Sequence, residues 1–436
     1  MKTMIISSNC SGGGKTTFTL GLMKALKNRN YDVQGYKVGP DYIDTGFHTE
    51  ITGKVSRNLD LHIMGEEGVK ASFSRGKGDL AVVEGVMGLY DGKGLDEECS
   101  TYSVSKVLDD SPIILVITPK AQSVTLCAEI NGIKNFRNAN IVGVVLNCVS
   151  ESFYSLLKPA IEMHCGLKVF GYVPKDDELK LESRHLGLVQ SVEVEGLNKK
   201  INYLAELIEK YINLDEIIES FKDVKKFEDN YHLNRLNKKI AIAYDEAFRF
   251  YYKENLELLE EVGEVVYFSP IRDKKLPENI DFLYLGGGYP EVFKDQLSKN
   301  TDMLRSIKEA LDKGLNCYAE CGGLMYLTEN IDSVNMVGFF KGNSEMTKRL
   351  NRFGYATLDF NNIKINCHEF HKSKVNSNES TVYDITKTTY AGDKVGWKCG
   401  YKKKNTLAGY PHVHFFGNIE FIKELLKYYK AYLKAK

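Results

Sequence analysis

Ser7-Ser8-Asn9-Cys10-Ser11-Gly12-Gly13-Gly14-Lys15-Thr16-Thr17 stands between a short apolar run, Met4 to Ser7, and an amphipathic helical pattern, Phe18 to Lys27. Three consecutive glycines let the backbone come close to a polyphosphate, whose oxygens then meet loop N–H groups and the positive end of the following helix. In such a loop Gly12, Gly13, Gly14 and Thr17 surround the nucleotide, Lys15 reaches its β- and γ-phosphates, and Thr16 turns a hydroxyl to a magnesium ion. The usual pattern starts with glycine where this chain has Asn9. The order strand, loop, helix compensates for that departure and carries the assignment.

Working outward, apolar runs alternate with helical patterns through the first half: Val33 to Lys37, Leu80 to Glu84, Ile113 to Thr118, Ile141 to Leu146 and Lys168 to Val173. Several are apolar throughout, as strands covered on both faces are. The fold expected is α/β, a doubly wound parallel sheet with its ligand site at the carboxyl ends of the strands. Helical periodicity over Asn198 to Phe221 closes a domain predicted to span 1–221, and the charged segment Lys222 to Lys239 reads as a linker. A second α/β domain, 240–436, restarts the rhythm with Ile240 to Tyr244, Glu264 to Phe268, Phe282 to Leu285 and Leu315 to Ala319. From Gly338 shorter β-type runs follow, ending in His412 to Phe416 and a lysine-rich terminal helix.

Across 436 residues, 58 basic and 58 acidic side chains balance, which argues against nucleic acid as a partner. No run of about eighteen apolar residues occurs, and the first residues enter the first strand at once. These features predict a soluble, cytoplasmic protein with no membrane partner, and leave its oligomeric state open. Nine cysteines without paired metal-ligand spacing fit reduced thiols better than disulfides or zinc.

A nucleotide site needs carboxylates, because magnesium prefers hard oxygens and bridges phosphates. Two stretches offer them after strand ends: Asp41 and Asp44 on the Gly39-Pro40 turn, and Glu84 with Asp91 around a glycine-rich loop. Turn capping is the ordinary role of Asp41, Asp44 and Asp91. Glu84, at the tip of a buried strand, needs a strong partner, and magnesium is the obvious one.

At these residues the chain resembles a family. Ser11-Gly12-Gly13-Gly14-Lys15-Thr16-Thr17, Tyr36-Lys37-Val38-Gly39-Pro40-Asp41-Tyr42-Ile43-Asp44, Ser56-Arg57-Asn58-Leu59-Asp60 and Glu84-Gly85-Val86-Met87-Gly88-Leu89-Tyr90-Asp91-Gly92 look like the cobyrinic acid a,c-diamide synthases. The resemblance runs on through Asp245-Glu246-Ala247-Phe248 and Leu285-Gly286-Gly287-Gly288-Tyr289-Pro290-Glu291. It implies a first domain similar to dethiobiotin synthetase, which activates carboxylates of a corrinoid with ATP. For this half we expect Thr16, Asp41 and Glu84 to hold Mg2+, Lys37 to join the nucleotide site, and Asp44 and Asp91 to serve the activation chemistry.

In the second half, Ala319-Glu320-Cys321-Gly322-Gly323-Leu324 follows a strand and opens a helix. A nucleophile on such a turn is held above the sheet. The helix N-terminus and a nearby histidine are expected to lower the Cys321 pKa. N–H donors for an oxyanion can come from Gly287 and Gly288 at a neighbouring strand end and from Gly322. The base is sought in Tyr410-Pro411-His412-Val413-His414-Phe415-Phe416, where both histidines share a face if the segment is extended. This half resembles class I glutamine amidotransferases, and the aromatic-x-His-x-x-Phe pattern favours His412 over His414. Many of those enzymes carry a glutamate two residues after the histidine. Here that position is His414, so a Cys-His dyad is expected. His368 and His371 lie three apart in a strand-like run and read as substrate-contacting or structural.

Together the halves imply one reaction: ammonia from glutamine, ATP to make a carboxylate attackable, and an amide as product. The resemblance supplies cobyrinate as the substrate, amidated at its c and a acetates, with an enclosed route for ammonia. Nickel-sirohydrochlorin a,c-diamide synthase is the nearest alternative. A partner-binding, partitioning-type P-loop ATPase is the alternative of another class, and it leaves Cys321 unexplained. A dethiobiotin-like synthetase with an inert appendage is a third.

Overall fold

The computed structural model describes residues 1–179, 183–184, 187–188, 190–194 and 196–433. Contacts divide the chain into two units, Met1–Leu61 with Glu66–Asp229, and His62–Gly65 with Asn230–Lys436.

The first unit is built on the parallel strands β1 (Lys2–Ser8), β2 (Val33–Val38), β3 (Arg57–Leu59), β4 (Leu80–Glu84), β5 (Ile113–Ile117), β6 (Ile141–Val149) and β7 (Lys168–Pro174), in the order β3-β2-β4-β1-β5-β6-β7. Strands β4 and β5 are buried along their whole length, which is why they read as unbroken apolar runs. The core joins Met4 and Ile6 of β1 to Phe18 and Leu22 of helix α1 (Lys15–Asn28) and to Leu204 and Ile208 of α2 (Leu197–Tyr211). Within the sheet, Glu84 pairs with Ile6 on one side and Lys37 on the other. The ends of β1, β2 and β4 therefore form one layer at the carboxyl edge, where open α/β sheets bind ligands. Of the charged segment Lys222–Lys239, Lys222 and Asp223 pair antiparallel with β1, and Lys238 and Lys239 open the first strand of the second unit.

That second unit holds a mixed sheet. Strands β8 (Lys238–Ala243), β9 (Gly263–Phe268), β10 (Phe282–Leu285), β11 (Asn316–Glu320) and β12 (Thr406–Gly409) run parallel in the order β9-β8-β10-β11-β12. The sheet continues antiparallel through Lys394–Lys403, Thr381–Thr388, Arg352–Phe360, Ile363–His371 and the short strand His412–Val413. Because β12 lies beside β11, with Gly409 opposite Glu320, the chain leaving β12 delivers Tyr410 to His414 next to the turn at Cys321. The extended run expected from His412 to Phe416 stops after two residues, and Phe415–Gly417 is a 3-10 turn. The side chain of Asn255 enforces the break: its amide donates to Val413 O at 2.9 Å and its oxygen accepts from Phe415 N at 2.8 Å. His412 and His414 consequently do not share surroundings. The terminal helix is Ile419–Leu433, and the predicted lysine-rich end runs on to Lys434 and Lys436, outside the described residues.

Candidate functional site

In the glycine loop, Gly12 and Gly14 adopt left-handed φ values of 74° and 93°, while a Cβ at Gly13 would fall 2.0 Å from Ser8 Oγ. A side chain at any of the three would strain or fill the loop. Lys15 is buried and donates to Cys10 O at 2.9 Å and Met87 O at 2.5 Å. Burial first, and then the neighbouring charge of Lys37, lower its ammonium to about 8. Thr17 stands half-buried in the first turn of α1, and Thr16 donates from Oγ1 to Glu84 Oε1 at 2.6 Å.

Glu84 is fully buried and its oxygens are shared out. Oε1 also accepts from Lys37 Nζ at 3.0 Å, and Oε2 lies 2.7 Å from His48 Nε2. Lys37 in turn meets Asp44 Oδ2 at 2.6 Å. Burial opposes the charge on Glu84, but Lys37 and His48 outweigh it and hold the carboxyl below the usual range. Burial likewise opposes the ammonium of Lys37, and Asp44, Glu84 and Asp41 together keep it above its ordinary value. Asp44 is the member pushed well up, by burial and then by the negative charges of Asp41 and Glu84.

Asp41 and Asp91 do local work. Asp41 Oδ1 accepts from the N–H groups of Ile43 and Asp44 at 2.8 and 3.0 Å, at the start of the helix Ile43–Thr52. Asp91, exposed, accepts from Gly88 N at 2.8 Å and so braces the loop that offers Met87 O to Lys15. For magnesium, hard oxygens converge at Thr16 and Glu84, and such an ion takes one or two protein ligands beside phosphate and water. Among the described residues no group of three His, Cys, Asp or Glu is arranged to hold a metal. The residues therefore fit an ion held mainly by phosphate, not one caged by side chains.

Two neighbours of this site were not read from sequence. His48, buried against Glu84 and Ser56, is signalled only by standing one helical turn after Asp44. Asn147, in β6, donates to Thr118 Oγ1 at 2.8 Å, and a Cβ at Gly14 would come within 2.3 Å of its amide. A lone polar residue in an apolar strand is its only mark in the sequence.

In the second unit, β11 ends at Glu320 and Cys321 takes φ 45° and ψ −98°, a strained turn for a residue with a side chain. Its N–H donates to Gly409 O at 2.7 Å, and helix Gly322–Leu327 begins behind it. The expected lowering of the thiol pKa is not found. Burial first, and then Glu291, Glu369 and Glu320, push the thiol up, with only the N–H of Gly322 opposing them. A helix of six residues beside three carboxylates cannot reverse that field.

The loop Gly286-Gly287-Gly288 faces this turn closely. A Cβ at Gly322 would lie 3.1 Å from Gly288 N, one at Gly288 would meet Ala247 O at 2.0 Å, and one at Gly287 would meet His412 Cε1 at 2.4 Å. His412 is buried, with Nδ1 3.6 Å from Glu320 Oε2, and its ring stacks on His368 at 5.0 Å and 25°. His414 has both nitrogens engaged, Nε2 with Glu254 at 3.2 Å and Nδ1 accepting from Phe416 N at 3.2 Å. His368 is held well below its ordinary value by burial and then by His412 and His62, and its Nε2 lies 3.0 Å from Tyr252 OH. His371, also buried, stacks on Tyr410 at 3.8 Å and bonds Ser373 O.

Two family models match the chain. Residues 4–189 match the CobQ/CobB/MinD/ParA nucleotide binding domain, and residues 239–419 match the CobB/CobQ-like glutamine amidotransferase domain. Solved structures similar to single portions include MinD of Aquifex aeolicus (14% identity, TM-score 0.32, 48% of this chain and 98% of that one). Another is PurLQS of Thermotoga maritima (14%, TM-score 0.33, 45% and 100%). Cobyrinate a,c-diamide synthase of Clostridium acetobutylicum is 62% identical over 98% of this chain and 100% of its own length, and that of Clostridium tetani 61% over 98% and 100%. The protein named cobyrinate a,c-diamide synthase in Listeria innocua is 40% identical over 96% and 97%. With such relatives matching from end to end, and an ATP-using domain followed by an amidotransferase domain, the chain belongs to the cobyrinate a,c-diamide synthase family, glutamine-dependent ligases that form amides.

Proposed function

We propose that the chain amidates the c and a acetates of cobyrinate, using one ATP and one glutamine for each amide. Residues 1–221 carry the activation and 240–436 the release of ammonia, with 222–239 joining them. A free carboxylate resists ammonia because oxide is a poor leaving group. Transfer of the γ-phosphoryl group to the acetate gives an acyl phosphate and ADP, and attack by ammonia then releases phosphate and leaves the amide.

Gly12, Gly13, Gly14 and Thr17 receive the nucleotide, and Lys15 exchanges its two carbonyl partners for phosphate oxygens. Thr16 and Glu84, with Asp41 nearby, would hold a magnesium ion, which supplies charge neutralisation on the phosphates. Lys37, kept cationic by Asp44 and Glu84, adds a fixed positive charge where negative charge gathers. Asp44, the carboxyl most easily protonated, is suited to exchange a proton at the acetate, and Asp91 shapes the loop over Lys15. At the other centre Cys321 attacks the glutamine side-chain amide as His412 takes the thiol proton and passes it to departing ammonia. Gly288 and Gly322, with Gly287, offer N–H groups to the oxyanion. Water then frees glutamate from the thioester.

The observation that carries this reading is identity of 62% over 98% of the chain to a relative named for that reaction. The test is incubation of purified protein with ATP, glutamine and either cobyrinate or nickel-sirohydrochlorin, followed by mass analysis. Two successive losses of about one mass unit, one for each amidated carboxyl of cobyrinate, are expected. Amidation of the nickel macrocycle alone would replace the substrate.

A further inference from the structure

The geometry points to Glu320 as the positioning residue of His412, an acid supplied from the strand before the nucleophile and not from the residues after the histidine. This rests on the proposed role of Cys321 and His412 in glutamine hydrolysis. Glu320 is buried, with 1% of its surface exposed. Its Oε1 accepts from Tyr318 OH at 2.9 Å and from Val413 N at 3.4 Å, so the carboxylate is tied to its own strand and to the chain next to His412. The other oxygen faces His412 Nδ1 at 3.6 Å, within ion-pair range and just outside a hydrogen bond.

The imidazole has little freedom to turn. Gly287 closes on its Cε1 edge, where even a methyl group would come within 2.4 Å, and His368 covers a face. Burial and then His412 and His62 hold His368 well below its ordinary value, so it sets no second positive charge against that ring. When His412 takes the thiol proton, an imidazolium forms in a buried place, and an unpaired buried charge is costly. Glu320 answers that charge and fixes which nitrogen carries the resting proton. With N–H at Nδ1 directed to Glu320, Nε2 carries the lone pair that accepts from the thiol. The proton thus moves from Cys321 Sγ to His412 Nε2 and on to ammonia, while Glu320 keeps its charge throughout.

The test uses the whole chain with cobyrinate and ATP, and either glutamine or ammonium chloride. Glu320→Gln retains an acceptor for Tyr318 and Val413 but loses the charge. It should lower kcat with glutamine about ten- to a hundredfold, leave KM for glutamine unchanged, and leave the ammonium-driven rate unchanged. Glu320→Asp keeps the charge one methylene further back and should give a smaller loss. Unchanged kcat, a change in KM alone, or loss of both activities together would each overturn the proposal, the last by making Glu320 a folding residue. Cys321→Ser, run alongside, separates this from failure of the underlying reading: glutamine use that survives it removes Cys321, and not merely Glu320, from the reaction.

Discussion

The two centres solve opposite electrostatic problems. At the carboxyl edge of the first sheet, Lys37 sits between Asp44 and Glu84, and His48 and Thr16 take the remaining contacts of Glu84. Charges there are buried but answered by neighbours, with Asp44 the one carboxyl pushed well up. At Cys321, the proposed nucleophile, burial and three carboxylates resist ionisation of the thiol. A phosphate cradle must hold charge, whereas a buried thiol must make charge only when a base is ready. Compensation is built in at the first centre; at the second, the proposed mechanism generates it by proton transfer.

Removing one centre should leave the other working. Cys321→Ser should lower glutamine-dependent amidation by about 10⁴-fold or more while ammonium salts still support it. Lys15→Ala should end amidation with either nitrogen source yet leave glutamine hydrolysis in place. Coupled ATP and ammonia assays read both, and loss of every activity in either variant would contradict separate centres.

Next in size is the answered charge itself. Glu84→Gln leaves Lys37 buried with a weaker set of partners and should cost about 3–5 kcal/mol in chemical denaturation. A loss under about 1 kcal/mol, as for an exposed pair, would mean that Asp44 alone satisfies Lys37.

Smaller again is a shift of the base. Gly287→Ala puts a methyl group 2.4 Å from His412 Cε1 and should reduce glutaminase kcat about a hundredfold through misplacement. Wild-type turnover would show that the ring can move without penalty.

The smallest expected effect is in pH. Lys15 titrates near 8 because burial and Lys37 disfavour its ammonium. Phosphate oxygens favour that ammonium, so ATP binding should take up protons around pH 8. The Kd for ATP should then rise with pH above 8, at most about tenfold per unit. Calorimetry in buffers of different ionisation enthalpy reads the uptake, and Lys15→Arg should abolish it. No uptake in the parent would mean that Lys15 is fully charged in the free protein.

Much of this was legible in the chain. The glycine loop between strand and helix, Glu84 at the tip of an apolar run, and Cys321 before two glycines all carry their meaning locally, because turn geometry and burial follow from neighbouring residues. The pairing of Lys37 with Glu84 was not legible, since it depends on β2 lying beside β4 in a given register. Nor was the separation of the two late histidines: Asn255, far back in the sequence, stops the strand between them.

The kind of chemistry expected at each centre is written locally, for a phosphate loop and a thiol-bearing turn are each encoded within about a dozen residues. Which charged side chains stand against those groups is set by the fold. Sheet order brings Glu320 to His412 across the neighbouring strand end and sets Glu254 against His414. Coulomb forces act through space, and a buried carboxylate finds its partner by strand order and register, which no local stretch of sequence records.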